Sequence, residues 1–323
     1  MRKGHVLPTA TNGSNGGVDA LRRVAAEASG VDISGDLLNG NGVGNGRKVI
    51  PLGNGREYVV RQICGLDDVE FLRRAVEAQL VVCLYGPPGT GKTTMVEAAL
   101  GTDRVITQEF SEGTQVEDLV GTFFPAPGSG WEWGDGSLTR AIREEKVWFG
   151  DDITQGDPKT QSRVFPALDS RRRLTLNEHG GEVVEAGEGF GAVIAYNPNL
   201  PGTTFSEALA SRCAIHVYVG FDPLTARRLG VDPDIVTAAK AMNEAFQAAD
   251  PLAAVEEGVA EVTTWAPQLR ELLAFKRVEE VFDRYTAACN LLGVCPEESR
   301  AALHEKLEGY VSGGVDLNVL RVE

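Results

Sequence analysis

The sequence predicts an α/β fold: a three-layer arrangement with a parallel sheet between helices, followed by a smaller all-helical domain. Two observations predict the sheet. Short apolar runs alternate with helix-like segments between residues 47 and 221, which is typical of parallel strands joined by crossover helices. A glycine-rich loop also follows one of these apolar runs and opens a helix. After residue 222 almost no strand pattern remains, so we expect helices in that part.

Length and composition narrow the class of protein. The chain has 323 residues, 42% of them hydrophobic and 24% charged, which is ordinary for a globular protein with one large and one small domain. The net charge of −15 argues against a broad nucleic-acid surface, although a local basic strip would survive it. No apolar run approaches a membrane span or a signal core, and the five cysteines form no C-x-x-C pair. We therefore expect a cytoplasmic protein with no membrane contact.

The first part of the chain predicts little packed structure. Residues 1–46 contain Asn- and Gly-rich segments, and we expect a flexible tail. Residues 18–29 within it could form one short helix, either a docking peptide or part of a loose tail. Order is expected from residue 47, so we predict a nucleotide-binding α/β domain over 47–221 and a helical lid domain over 222–323.

A hairpin and a helix precede the glycine-rich loop. The hairpin is predicted over residues 49–60, with its turn at Asn54-Gly55, and an amphipathic helix follows over 67–76. The apolar run 80–85 then reads as a buried strand, and 94–100 as a helix. The segment between them therefore lies in a strand–loop–helix context.

That segment fits G-x-x-x-x-G-K-[ST], the phosphate-binding loop, or Walker A motif. Its glycines let backbone N–H groups face the phosphates, and the helix N-terminus adds a partial positive charge. Lys92 can reach the β- and γ-phosphates, and the Thr93 hydroxyl can ligate Mg²⁺. The alternative is a Gly/Pro-rich turn that binds nothing. The predicted nucleotide-binding residues are Gly86, Pro87, Pro88, Gly89, Thr90, Gly91, Lys92, Thr93 and Thr94.

An acidic pair ends a later apolar strand. The predicted strand 146–150 is followed by Asp151 and Asp152, which is the Walker B pattern when a phosphate loop lies upstream. The first carboxylate, Asp151, would orient the Mg²⁺ shell, and the second, Asp152, would polarise the attacking water. The alternative is an exposed acidic turn.

The remaining elements alternate as a parallel sheet requires. Between the two motifs we predict a strand at 104–107, a helix at 116–120, an aromatic-rich hairpin over 122–136 and a helix at 138–144. After Walker B we predict one helix over 157–169, a second hairpin over 171–186, and strands at 191–196 and 213–219. The helical domain contains predicted helices at 234–248, 267–292 and 297–308.

These motifs together resemble the AAA+ ATPases of the MoxR/CbbQ/NorQ branch, a dynein-related type, over roughly residues 55 to 275. Both Walker motifs contribute to the resemblance, and the two hairpins over 122–136 and 171–186 match the helix-2 and pre-sensor-1 inserts of this branch. Further matching phrases are Glu117-Asp118-Leu119-Val120-Gly121, Gly136-Ser137-Leu138, Asp157-Pro158-Lys159-Thr160-Gln161-Ser162 and Ile194-Ala195-Tyr196-Asn197-Pro198.

The resemblance implies a ring of six subunits whose active sites are shared between neighbours. It implies that Asn197 is the sensor 1 residue, that Arg212 is an arginine finger acting on the neighbour's nucleotide, and that Arg270 is the sensor 2 residue of the lid. Two simpler roles remain open: Arg212 capping a strand start, and Arg270 on a helix surface. The run Arg171-Arg172-Arg173 would contact a nucleotide across the interface, line a pore, or form a solvated basic turn.

One residue departs from the family pattern. Relatives usually carry Glu as the second Walker B acid, whereas this chain has Asp152. The shorter side chain places its carboxylate about 1.5 Å further from a water positioned for Glu. Hydrolysis could therefore be slow, unless the following helix shifts to compensate.

The leading hypothesis is an ATP-hydrolysing, Mg²⁺-dependent remodelling machine that acts on a protein client. The resemblance alone adds a partner of the von Willebrand factor A type. Two alternatives use the same fold: a nucleic-acid-linked AAA+ motor, which the acidic charge disfavours, and a nucleotide switch in which Asp152 fails as a base and ATP only holds a complex together.

Overall fold

The computed structural model describes residues 47–128, 130–198, 200, 203, 205–248, 265–311 and 317–322. The predicted tail over 1–46 lies outside the described residues. The strands are β1 Val49–Pro51, β2 Glu57–Val59, β3 Gln62–Ile63, β4 Leu66–Asp67, β5 Val82–Tyr85, β6 Val105–Glu109, β7 Gly121–Ala126, β8 Gly130–Asp135, β9 Val147–Asp151, β10 Arg173–Leu176, β11 Glu182–Glu185, β12 Gly191–Tyr196 and β13 Ile215–Tyr218. The helices are α1 Asp68–Glu77, α2 Lys92–Leu100, α3 Val116–Val120, α4 Ser137–Arg143, α5 Pro158–Ser162, α6 Phe165–Leu168, α7 Glu207–Ala210, α8 Pro223–Arg228, α9 Pro233–Ala248, α10 Leu269–Val281, α11 Arg284–Val294 and α12 Glu297–Glu308.

Five strands form one parallel sheet in the order β13-β5-β12-β9-β6. The strand that leads into the phosphate loop, β5, lies next to β12, and the Walker B strand, β9, lies on the other side of β12. Parallel neighbours end at the same edge, so the residues that follow these three strands meet there. The predicted α/β fold is confirmed.

Both faces of the sheet are covered. Successive side chains of a strand point to opposite faces, so each central strand contributes to two cores. Val82 and Leu84 of β5 join a core that includes Leu72 of α1 and Met95 of α2. Cys83, between them, joins the opposite core with side chains of α3 and α4. Because the central strands are buried on both faces, their residues are apolar without alternation, which accounts for the continuous apolar runs in the sequence.

Two antiparallel hairpins extend from this core. In the first, β7 pairs with β8 from Gly121↔Asp135 to Ala126↔Gly130, and in the second β10 pairs with β11. His179 of the second hairpin stacks on Trp133 of the first, with ring centroids 4.6 Å apart. These two predicted hairpins are confirmed and contact each other, and the hairpin predicted over 49–60 is confirmed by the antiparallel pairing of β1 with β2.

From α8 onward, every secondary-structure element that the structure describes is a helix. These helices share a core of their own, which includes Val236 of α9, Phe275 of α10 and Leu291 of α11. The predicted domain boundary near residue 221 stays a prediction. None of the described helices is both long and apolar enough to cross a lipid bilayer.

Two helices predicted as continuous are each divided in two. The helix predicted over 157–169 breaks between α5 and α6, since Pro166 has no N–H to donate to the preceding turn. The helix predicted over 267–292 breaks between α10 and α11, where Asp283 has extended backbone and accepts from the Thr286 backbone N–H at 2.7 Å. An aspartate cap of this kind begins a new helix rather than continuing the old one.

Candidate functional site

The phosphate loop begins at the edge where β5, β9 and β12 end. Tyr85 of β5 is paired with Tyr196 of β12, and the Gly86 backbone N–H donates to the Tyr196 carbonyl at 3.4 Å. The loop therefore lies directly beside Asn197, the residue after β12, and near the acidic pair at the end of β9. The sheet order brings together three motifs that are far apart along the chain.

Two glycines of the loop are required because other parts of the chain pack closely against them. Gly86 has φ +147°, and a Cβ at this position would lie 2.3 Å from the Val219 carbonyl oxygen. Gly89 has φ +76°, and a Cβ there would lie 2.9 Å from the Cβ of Arg270. Both positions combine a backbone conformation that favours glycine with no room for a side chain. The loop is therefore packed on both sides and cannot be replaced by a generic turn.

Lys92 is the first residue of α2 and its side chain bends back over the loop. Its Nζ donates to the carbonyls of Gly86 and Pro87 at 3.0 and 2.9 Å and to Asn197 Oδ1 at 2.6 Å. The residue is only 6% exposed. An ammonium group at the N-terminus of a helix, beside a curled backbone, is chemically suited to phosphate oxygens.

The next residue, Thr93, is joined to the first Walker B acid. The Thr93 hydroxyl donates to Asp151 Oδ2 at 2.6 Å. This places a hydroxyl and a carboxylate side by side at the mouth of the loop. Both are oxygen donors of the type that Mg²⁺ prefers beside phosphates, so the residues present fit the predicted metal.

Asn197 connects the lysine to the second Walker B acid. Its Nδ2 donates to Asp152 Oδ1 at 2.7 Å, while its Oδ1 accepts from Lys92. The other Asp152 oxygen accepts from Gln155 Nε2 at 3.2 Å. The Asp152 carboxylate is therefore held at both oxygens. Its backbone is left-handed, with φ +51°, a conformation that Asp and Asn adopt more readily than longer side chains.

The charges of this cluster shift one another's pKa values. Burial lowers the pKa of Lys92 to about 8, although Asp152 and Asp151 act in the opposite direction. Burial also raises the pKa of Asp152, and the nearby Asp151 raises it further. At neutral pH the lysine keeps its charge, and the second acid is a better proton acceptor than an ordinary aspartate.

Arg270, the predicted sensor 2 residue, lies at the start of α10 against the loop of its own chain. Its Cβ lies beside Gly89, and its charge lowers the pKa values of both Lys92 and Asp152. The residue two before it, Gln268, is buried and donates to Asn243 Oδ1 at 2.7 Å, which anchors this end of the helix. The structure therefore brings Arg270 to the same site as the Walker residues.

Arg212, the predicted arginine finger, lies elsewhere. Its Nη1 donates to the Ala208 carbonyl at 2.5 Å, its guanidinium lies 4.4 Å from the Phe165 ring centroid, and its Nη2 lies 3.9 Å from Asp169 Oδ2. Within the described ranges, no hydrogen bond or ion pair joins it to the phosphate loop of its own chain. A quarter of its side chain is exposed.

The three consecutive arginines have different surroundings. Arg171 binds the Asp169 carboxylate through Nε and Nη2, the shorter contact being 2.6 Å. Arg172 turns inward and donates to two backbone carbonyls that precede β12, those of Gly187 and Phe190, at 3.1 and 3.0 Å. Arg173 is exposed on β10. The predicted interface or pore contact is thus open only to Arg171 and Arg173.

A cavity of about 240 Å³ lies near the loop, since two of its lining residues, Arg61 and Val219, lie against loop residues. It is lined by residues 61–63, by Asp68 at the start of α1, by Met95 of α2, by the segment 217–221 and by Gln247 of α9. Sequence reasoning missed two residues of this region, Arg61 beside the cavity and Gln155 beside Asp152. Gln155 lies three residues after Asp152, a spacing that could have suggested a contact, whereas Arg61 carries no local signal.

Residues 81–213 match the family model of the AAA domain, dynein-related subfamily. Protein CbbQ of Hydrogenophilus thermoluteolus is 36% identical over 135 residues, which are 41% of this chain and 49% of that protein. Protein NorQ of Paracoccus denitrificans is 34% identical over 135 residues, with the same two shares. The denitrification regulatory protein NirQ of Pseudomonas aeruginosa is 32% identical over 133 residues, 41% of this chain and 50% of that protein.

The matched stretch contains both Walker motifs, Asn197 and Arg212. The predicted resemblance to the CbbQ/NorQ branch is therefore confirmed over this stretch. The chain spans about half the length of the curated relatives it matches.

Proposed function

We propose that this chain, whose residues 81–213 match the model of the AAA domain (dynein-related subfamily), binds and hydrolyses ATP and uses the cycle to remodel a protein client. The observation that carries the proposal is the continuous contact from Lys92 through Asn197 to Asp152, beside the Thr93–Asp151 pair. These contacts connect the group that would bind phosphate to the group that would activate water.

Triphosphate binding follows from the loop and Lys92. The backbone N–H groups at the start of α2 and the Lys92 ammonium are positioned for the β- and γ-phosphates. Thr93 and Asp151 would hold Mg²⁺, which neutralises charge on the phosphate oxygens when bound. The cavity beside the loop would take the base, since it opens next to Met95, one turn into the helix that binds the phosphates.

Water activation falls to Asp152. Its raised pKa favours acceptance of a proton from water. Asn197 contacts both Lys92 and Asp152, so a change at the phosphate would reach the carboxylate through one amide. Gln155 holds the second carboxylate oxygen and limits the orientations of this short side chain.

A neighbouring subunit would complete the site. Arg212 lies away from the loop of its own chain and is partly exposed. In a ring its guanidinium would reach the adjacent subunit's γ-phosphate and neutralise the charge of the transition state. The six-subunit ring, the protein client, a partner of the von Willebrand factor A type and the cytoplasmic location remain proposals that the resemblance and composition support.

Phosphate release tests the proposal directly. We expect the wild-type chain to release phosphate from MgATP, and Asp152→Asn to bind ATP with near wild-type affinity while turnover falls by about a hundredfold or more. Asp103→Asn is the matched control, because Asp103 is an exposed aspartate just before β6, at the opposite end of that strand from the site. Its turnover should equal that of the wild type.

A nucleotide switch is the second candidate, and the short Asp152 side chain favours it. Turnover by the wild type and by Asp152→Glu separates the two functions. If neither releases phosphate while both bind ATP, the chain is a switch and not an ATPase. In either case a pull-down with ATP-loaded Asp152→Asn, in which the bound state persists, would identify the client.

A further inference from the structure

A buried polar cluster lies beside the phosphate loop. Its acid, Asp68, is 1% exposed, and Tyr58 is 5% exposed. The Arg61 Nε donates to Asp68 Oδ2 at 3.3 Å and its Nη2 donates to the Tyr58 hydroxyl at 3.1 Å. The Tyr58 hydroxyl in turn donates to the same Asp68 oxygen, and burial raises the pKa of Tyr58, which keeps it a donor. The buried carboxylate is thus paired and hydrogen-bonded.

The third nitrogen of Arg61 leaves this cluster and reaches the loop. Its Nη1 donates to the Thr90 carbonyl at 3.1 Å. Thr90 lies two residues before Lys92, and its hydroxyl donates to the Pro87 carbonyl at 3.0 Å inside the loop. One guanidinium therefore connects Asp68, the first residue of α1, to the backbone of the phosphate loop.

The same side chain forms part of the cavity wall. Arg61, Gln62 and Ile63 line the cavity together with Asp68 and Met95. Arg61 thus contacts the loop that would receive the phosphates and also faces the space that would receive the base. A side chain with both contacts can transmit a change from one region to the other. The guanidinium is rigid and planar, so it cannot keep all three of its hydrogen bonds if one acceptor moves.

We propose that Arg61 is a positioning residue that couples occupancy of the base cavity to the conformation of the phosphate loop. The inference rests on the proposed function, because it takes the cavity as the site of the nucleoside base. A base in the cavity keeps the Arg61 guanidinium against the Thr90 carbonyl, and this keeps the loop in the conformation that binds the triphosphate. Such coupling is reciprocal, so base and triphosphate strengthen each other's binding.

Two ligands separate coupling from simple structural support. Isothermal titration calorimetry of the full chain gives Kd for MgATP and for magnesium with inorganic triphosphate, which has no base. For Arg61→Gln and Arg61→Lys we expect the preference for ATP over triphosphate to shrink about tenfold, a change typical of losing one charged hydrogen bond. The preference should shrink because inorganic triphosphate has no base to place in the cavity, so its binding does not depend on the coupling through Arg61.

Arg73→Gln is the matched control. The Arg73 Nε also donates to a backbone carbonyl, that of Ala99 at 2.5 Å, but at the far end of α2 from the loop and outside the cavity lining. Its preference for ATP should equal that of the wild type. Thermal unfolding checks the fold of every variant, and Arg61→Lys, which keeps a positive charge beside Asp68, decides the question if Arg61→Gln does not fold.

Three results would overturn the inference. An unchanged preference in both Arg61 variants would mean that Arg61 does not couple the two regions. An equal loss of affinity for ATP and for inorganic triphosphate would mean that Arg61 only supports the loop. Failure of the wild-type chain to bind ATP would overturn the proposed function and this inference together, which distinguishes it from the first two results.

Discussion

The two arginines that the resemblance assigns to catalysis lie in contrasting regions. Arg270 lies against the phosphate loop of its own chain and perturbs the pKa values of Lys92 and Asp152. Arg212 lies on Phe165, near Asp169, with no hydrogen bond or ion pair to that loop among the described residues. One chain thus brings Arg270, but not Arg212, to its own phosphate loop, so the role proposed for Arg212 requires a neighbouring subunit.

Replacing Lys92 breaks the half of the site that one chain assembles, and we expect the largest effect there. Lys92→Ala removes the only buried ammonium that contacts the loop in the described part of the chain, so ATP binding and all turnover should be lost. A fluorescent ATP analogue measures the affinity. Retained micromolar binding would contradict the proposed role of the loop.

Replacing Arg212 tests the proposed contribution of a neighbouring subunit. Arg212→Ala should leave the Kd for ATP unchanged and lower kcat by about a thousandfold, as loss of an arginine finger does. Mixing Arg212→Ala with Asp152→Asn subunits sharpens the comparison. An arginine that acts on the neighbour lets mixed assemblies recover turnover, because some interfaces combine an intact Asp152 with an intact Arg212. An arginine that acts within its own chain gives no recovery, and that result would end the shared-site proposal.

Replacing Arg270 should have a smaller effect, and it should act within one chain. Arg270→Ala removes one positive charge beside the loop, so we expect ATP affinity to fall about tenfold. The loss should be the same in dilute, unassembled protein and in the assembled particle. Arg277→Ala on the same helix is the control, because Arg277 is exposed and seven residues further along α10. If Arg270→Ala bound ATP with wild-type affinity, the proposed contribution of Arg270 to nucleotide binding would be wrong.

The smallest expected effect is a pH dependence of binding. Lys92 is charged below its pKa of about 8, so ATP affinity should decrease as the pH rises from 7 to 9. The decrease should stay below about tenfold per pH unit, because only one proton is linked to binding. Lys92→Arg remains charged over this range, and its affinity, although lower, should stay constant. A flat profile for the wild type would show that this amine does not contact the phosphates.

Much of the site was predictable because its motifs are local. The phosphate loop and the acid pair each occupy a few consecutive residues beside an apolar strand. The residue types and spacing of each motif therefore indicate its chemistry directly. Helix ends were less predictable. Pro166 and Asp283 were both visible in the sequence, but a long helical pattern around them outweighed the break that each one causes.

Contacts between distant residues were not predictable from pattern. Arg61 reaches a carbonyl 29 residues away, and Lys92 reaches an amide 105 residues away. No local periodicity records either contact, because each depends on which strands become neighbours. The resemblance placed Asn197 at the site as the sensor 1 residue, but it did not predict its contact with Lys92. Nothing in the sequence predicted the Arg61 contact.

The sequence by itself determined the strand–loop–helix elements, the charge of the chain and the positions of the Walker A and acidic residues along it, because these depend on neighbouring residues and on composition. Only the tertiary structure decided how those groups meet. Three adjacent arginines illustrate the limit: Arg171 pairs with Asp169, Arg172 turns inward and Arg173 faces solvent. Their chemistry is identical, and the difference arises from the direction in which the folded backbone points each side chain.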